Sequence, residues 1–203
     1  MTEHTEKHRG RPLGFDADAV IDELLLLFWE KGYDHTTQAD MVERTGLSSS
    51  SLYNTFGDKP AIFDAVLARY NEGVKANCAP MFSRAHGIKA LEAFIDQLGQ
   101  HVKEPLYGSS GCPIVATMSD PGGEAETVDT RINYYRAHIE GAMRASLDRA
   151  EKAGSLLPGN AGERAGILFA MYIGAQATAR VDPDSAFAMV QGMKSVLDSW
   201  TRA

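Results

Sequence analysis

The sequence predicts an all-α chain, and three observations carry that prediction. Apolar residues recur at spacings of three and four from Val20 to Trp200. Capping residues and Gly or Pro punctuate this period. No stretch alternates apolar and polar positions between hairpin turns. With 44% hydrophobic and 23% charged residues, the chain can bury a core and does not read as disordered overall.

Taken in order, residues 1–14 are polar and contain Gly10, Pro12 and Gly14, so they read as a mobile arm. Asp16 is a good N-cap for a first helix, whose face is Val20, Ile21, Leu24, Leu25, Leu27 and Phe28, with Gly32 as its stop. Thr37 caps a second helix, and Asp40 three residues later resembles a capping box. Ala39 and Val42 are expected to face inward there, and Gly46 ends it. Ser48 caps a short third helix anchored by Leu52 and Phe56 at i and i+4 and ended by Gly57. A fourth starts near Lys59-Pro60, where proline is tolerated, and continues through Ile62, Phe63, Val66, Leu67 and Tyr70 to about Cys78. Further helices are expected at about 88–103, 112–119, 124–153, 161–181 and 184–201. The breaks between them are Pro105 to Gly111, Pro121-Gly122-Gly123, Gly154 to Gly159, and Pro183.

Composition excludes several classes of function. A net charge of −7 argues against coating nucleic acid non-specifically, because phosphate binding runs on cations. Two cysteines, Cys78 and Cys112, are too few for a disulfide scaffold. The N-terminus has no apolar signal core, and the longest apolar run, Leu24 to Trp29, is far short of the ~20 residues of a membrane span. The expectation is a soluble cytoplasmic protein without a membrane partner. Signatures of catalysis are missing: no His-Glu-x-x-His, Cys-x-x-Cys, phosphate-cradling Gly-Lys-Ser/Thr loop or Gly-x-Ser-x-Gly elbow. The pairs His101/Glu104 and His138/Glu140 read as surface hydrogen-bonding groups. No enzyme activity, metal or cofactor is expected.

Residues 37–56 are the most informative stretch. Two short helices meet at Thr45-Gly46-Leu47, the short Gly-containing turn of a helix-turn-helix. With Leu52 and Phe56 inward, the opposite face of the third helix carries Ser49, Ser50, Tyr53 and Asn54, with Ser51 at its edge. Hydroxyls, an amide and a phenol can hydrogen-bond phosphates or base edges in a major groove. The same pattern also fits an ordinary helical hairpin with a polar surface.

The strings Thr36-Thr37-Gln38-Ala39-Asp40-Met41-Val42, Gly46-Leu47-Ser48 and Leu52-Tyr53-Asn54-Thr55-Phe56-Gly57-Asp58-Lys59 resemble the DNA-binding domain of TetR/AcrR-family transcriptional regulators. The resemblance covers about residues 15–65. It implies a homodimer with an N-terminal three-helix DNA-binding domain and a C-terminal helical ligand-binding and dimerisation domain. The corresponding division is a basic arm at 1–14, the helix-turn-helix domain at 15–59 and a regulatory domain at 60–203. By this resemblance Thr37 and Ser48 cap helices at the phosphate backbone. Ser49, Ser50, Ser51 and Asn54 face the groove, and Tyr53 and Lys59 contact phosphates. At Ser49 and Ser50 the family often has a Lys or Arg and a Gly, so one cation is missing here.

The arm can supply others. Arg9-Gly10-Arg11-Pro12 resembles the core of an AT-hook, in which Arg9 and Arg11 enter a narrow minor groove. A solvated basic tail is the plainer alternative. Deleting residues 1–12 is expected to weaken operator binding and flatten its salt dependence. Residues 1–59 hold six Lys or Arg against 11 acids, so the cations that matter are local ones.

In the C-terminal half, the helix at 161–181 is dense in small residues and the last offers Phe187, Met189, Val190, Met193, Val196, Leu197 and Trp200. Such surfaces allow close helix packing. The resemblance implies that this pair forms a dimer interface, which in turn implies a palindromic operator with half-sites ~34 Å apart or a multiple of it. Residues 80–176 are expected to enclose a pocket for a small-molecule inducer of apolar or aromatic character. Its candidate lining is Met81, Phe82, Phe94, Leu98, His101, Met118, Tyr134, Tyr135, His138, Phe169, Tyr172 and Gln176. Cys112, in Gly111-Cys112-Pro113, is a candidate electrophile or redox sensor, because a helix start favours a thiolate; a packed small residue is the alternative. The rival function is a helical ligand-binding bundle that binds no operator.

Overall fold

The computed structural model describes residues 14–84, 87–104, 111–119, 122–123 and 125–201. Arg9, Arg11 and most of the loop before Cys112 lie outside them. Among the described residues the elements are α1 (Ala17–Lys31), α2 (Gln38–Thr45), α3 (Ser49–Phe56), α4 (Lys59–Arg84), α5 (Ile88–Lys103), α6 (Pro113–Ser119), α7 (Ala125–Lys152), α8 (Ala161–Ala179) and α9 (Pro183–Ser199). The fold is all-α; an isolated bridge between Leu156 and Thr201 ties the α7–α8 turn to the end of α9.

Local chemistry accounts for the first three helices. Asp16 accepts hydrogen bonds from the backbone N–H groups of Asp18 and Ala19 and so caps α1. Thr37 and Asp40 form a reciprocal capping box on α2. Gly46 takes the left-handed conformation (φ 67°) that lets the chain turn from α2 into α3. Ser48 accepts from the Ser51 N–H and starts α3.

A continuous apolar core runs from Val20 in α1 to Leu197 in α9. α1 packs on α2 and on the start of α4, while α4 continues into the C-terminal helices and packs on α5 and α7. α8 lies between α7 and α9, and α9 also covers α5. Two fork-shaped ion pairs fasten α4: Arg69 to Asp22 of α1 at 2.7 and 2.8 Å, and Arg131 of α7 to Asp64 at 2.6 and 2.8 Å.

Three expectations are corrected. The inward residue of α2 is Met41, which is fully buried, whereas Ala39 is exposed and Val42 only half-buried. α2 is too short for its period to fix its phase, and packing on α1 turns Met41 inward. α4 does not end near Cys78 but runs through Pro80 to Arg84. Pro80 and Ala76 both lie on the exposed side, where water can serve the carbonyl that proline leaves unpaired. Pro183 is the first residue of α9 rather than a break, with Asp182 as the N-cap.

Candidate nucleic-acid interface and ligand cleft

The helix-turn-helix presents α3 outward. Leu52 is 0% exposed and pins the helix to the core, with Phe56 and Tyr53 half-buried beside it. On the other side Ser50 and Asn54 are exposed, and Ser49 and Ser51 are partly so. The hydroxyls are organised among themselves. Gln38 of α2 donates its amide to Ser49 Oγ, and Ser48 Oγ contacts Ser50 Oγ at 3.1 Å and Ser51 Oγ at 2.9 Å. The result is a neutral, rigid, hydrogen-bonding face. Ser49 therefore also braces α3 against α2, a role its sequence position did not reveal.

The cations of this region are mostly occupied. Lys31 Nζ lies 2.7 Å from Asp40 Oδ1. With the Thr37 N–H and hydroxyl, that lysine holds the Asp40 carboxyl down at about 2. Arg44 turns back to α1, 2.6 Å from Glu30 and 3.9 Å from Glu23. Lys59 sits over the Tyr33 ring, 4.2 Å from its centre. Tyr33 in turn packs on Phe28 and Phe63, and the α6–α7 loop presses on it. A Cβ at Gly122 would come 2.4 Å from Tyr33 Cβ, so only glycine allows this approach. Lys59 is thus positioned by a ring that touches the C-terminal helices.

The largest described cleft, about 710 Å³, opens between α1, α4, α5 and α8. Of the residues predicted for a pocket, Met81, Phe94, Leu98, His101, Tyr172 and Gln176 line it. Others sit elsewhere. Phe82 packs tilted against Phe94, Tyr134 is exposed and donates to Glu72, and Tyr135 is buried. Phe169 packs on Tyr172 from the far side, and Met118 and His138 are outside the lining. The sequence reading missed the contribution of α1, whose Leu25, Leu26 and Trp29 form one wall, and of Cys78. Trp29 meets Tyr70 edge-on at 5.7 Å between ring centres. The α1 apolar run was legible only as core.

Cys112 is 1% exposed, and its thiol lies between two phenols: Tyr70 donates to Sγ at 3.2 Å and Sγ donates to Tyr135 at 3.4 Å. Burial pushes its pKa up, outweighing these hydrogen bonds and the nearby helix N–H groups. The burial fits the packed-residue alternative, and the helix start does not outweigh it in favour of a thiolate. Cys78 is likewise pushed up, to about 11, by burial.

Comparison with known proteins agrees with the fold and with the helix-turn-helix. The profile described as "Bacterial regulatory proteins, tetR family" matches residues 20–66. The HTH-type transcriptional repressor ComR of Escherichia coli is 48% identical over 69 residues, which are 34% of this chain and 33% of ComR. This chain therefore matches about one third of that relative's length. A TetR-family transcriptional regulator from Agrobacterium tumefaciens superposes with a TM-score of 0.79 at 22% identity, covering 92% of this chain and 97% of that one. CifR, a TetR-family regulator solved with 26-bp double-strand operator DNA, superposes at 0.72 with 21% identity, covering 94% and 100%. The helix-turn-helix segment thus matches the TetR family of bacterial regulatory proteins, and the chain as a whole shares the all-α fold of solved members of that family.

Proposed function

We propose that the protein is a DNA-binding transcriptional repressor that acts as a homodimer on a palindromic operator and is released by a small-molecule inducer. The observation that carries the reading is α3, a rigid outward face of Ser49, Ser50, Ser51 and Asn54 with no competing charge. Thr37 and Ser48 cap the two helices of the motif and would meet the phosphate backbone, Tyr53 and Lys59 would contact phosphates, and Arg9 and Arg11 would reach an adjoining minor groove. That ComR is a repressor and that CifR was solved on operator DNA supports the reading. The domain division follows the same line: arm 1–14, reader 15–59, regulatory part 60–203.

A second copy would dock on α8 and α9. Ile167 on α8, Val181 in the turn between α8 and α9, and Met189 on α9 are large apolar residues exposed there, Val181 at 88%. With Met171 and Gly174 on α8 and Gly192 on α9, they give a face that a twofold partner can bury. The inducer would sit in the cleft. Because α1 and α4 form two of its walls, a ligand that widens it would move the helix-turn-helix relative to α8. Linkage requires the ligand to favour the non-operator conformation by the factor through which it weakens DNA binding.

Selection of bound sequences from a random DNA pool by the full-length chain tests the reading. Enrichment of a two-fold symmetric site, with half-sites ~34 Å apart or a multiple of it, is the expected result. No enrichment would leave a helical ligand-binding bundle.

A further inference from the structure

We propose that the cleft between α1, α4, α5 and α8 takes a neutral aromatic molecule bearing a hydroxyl group, read by Tyr172 and Gln176. The inference rests on the cleft being a ligand site, and it specifies the ligand's chemistry.

The cleft volume of about 710 Å³ is in the range of small-molecule sites. Its apolar walls, among them Leu25, Trp29, Phe94 and Leu98, suit flat hydrocarbon rings. Apart from polar residues that are mostly exposed, such as Arg69, Glu72, Asn77 and Gln97, its lining includes Tyr70 and Tyr172, members of a buried hydrogen-bond chain. Tyr70 donates to Cys112, Cys112 donates to Tyr135, and the Tyr135 and Tyr172 hydroxyls are hydrogen-bonded to each other. Burial raises the pKa of all three phenols and of the thiol, so all four protons stay on. Four X–H groups joined by three hydrogen bonds leave one proton over. The Tyr135–Tyr172 bond can run either way; running in the same direction as the two before it, it leaves the spare proton at the chain's end on Tyr172, which lines the cleft.

Gln176 completes the pair. Its side chain lines the same cleft and is only 4% exposed. Its Nε2 donates to the Tyr172 hydroxyl at 3.2 Å, while its buried Oε1 has no partner among the described residues. With the chain running in that direction, an unmet donor and an unmet acceptor lie side by side on the buried wall of the cleft, where each costs free energy. One ligand hydroxyl answers both, accepting from Tyr172 and donating to Gln176 Oε1. A carboxylate could accept but would face the Gln176 oxygen with negative charge. Nor would it find a free guanidinium, since Arg69 at the rim is gripped by both oxygens of Asp22. A bare hydrocarbon would fill the space and leave both groups unmet.

Equilibrium dialysis of the full-length protein, without DNA, against 2-naphthol, naphthalene and 2-naphthoate tests the proposal. The expected result is retention of 2-naphthol at least ~10-fold tighter than either analogue, because a site built to hydrogen-bond a hydroxyl rejects molecules lacking it. Gln176→Met should bring 2-naphthol to within about three-fold of naphthalene. Should that variant fail to fold, Tyr172→Phe serves the same purpose. Equal retention of naphthol and naphthalene, tightest retention of naphthoate, no retention of any probe, or an unaltered preference in the folded variant would each overturn the proposal. Because no operator is in the assay, these outcomes stand apart from success or failure of the DNA selection.

Discussion

The reading helix and the cleft are opposite solutions to placing polar groups. Around α3 the partners are near neighbours in sequence: Thr37 with Asp40, Ser48 with Ser51, and Gln38 with Ser49 across a single turn. In the cleft wall they are far apart: Tyr70 reaches Cys112 over 42 positions, and Tyr135 reaches Tyr172 over 37. The first set forms as soon as the helices form and stays in contact with water. The second exists only when α4, α6, α7 and α8 are all packed, and its central members Cys112 and Tyr135 are shut away from water. Local bonds in water are worth little each, whereas buried chains are costly to interrupt.

Perturbations of the two regions should therefore differ in size and in readout. The largest effect is expected where the reading helix depends on the core. Leu52→Ala opens a cavity under α3 and should cost about 2–5 kcal/mol in denaturant unfolding, with loss of operator binding. Little change would mean that α3 is held by its caps. Next is Tyr135→Phe, which interrupts the buried chain and should destabilise by about 1–3 kcal/mol. An unaffected midpoint would show that the chain is already broken in solution.

Asn54→Ala should leave stability within about 0.5 kcal/mol and yet lose about 1–3 kcal/mol of discrimination between operator and mismatched DNA. A loss of stability instead would make Asn54 structural. Thr37→Ala removes one half of the capping box and should cost about 1 kcal/mol, read as a lower melting temperature. The smallest effect is that of Asp40 on pH dependence. Its folded pKa of about 2 lies below the ordinary carboxylate value near ~4. Its stabilisation is therefore complete above pH ~4 and fades as pH falls toward 2. Asp40→Asn should flatten the stability profile in that window only.

Much of the fold was legible because the signals are local. The caps Asp16, Thr37 and Ser48, the stop at Gly46 and the boundaries of α5 come from residues whose neighbours in space are their neighbours in sequence. Errors arose where tertiary contact decided. Met41 rather than Ala39 turns inward because α1 is there to receive it. Pro80 stays inside α4 because its side of the helix faces water. The outward face of α3 could be read from one helix period. The cleft could not: half of its proposed lining lies elsewhere, and the wall supplied by Leu25, Leu26 and Trp29 comes from a helix assigned to the reader.

The sequence by itself determined the helices, the helix-turn-helix and the hydroxyl-rich character of its reading face. Each follows from residues within a turn or two of one another, which backbone hydrogen bonding brings together whatever else the chain does. Only the tertiary structure decided that Cys112 is buried between the phenols of Tyr70 and Tyr135. It also decided that Lys59 rests on Tyr33, which Gly122 approaches closely, and that Gln176 Oε1 is buried without a partner among the described residues, beside the Tyr172 hydroxyl. Those facts depend on which helix faces meet, and that is set by the close packing of the whole core.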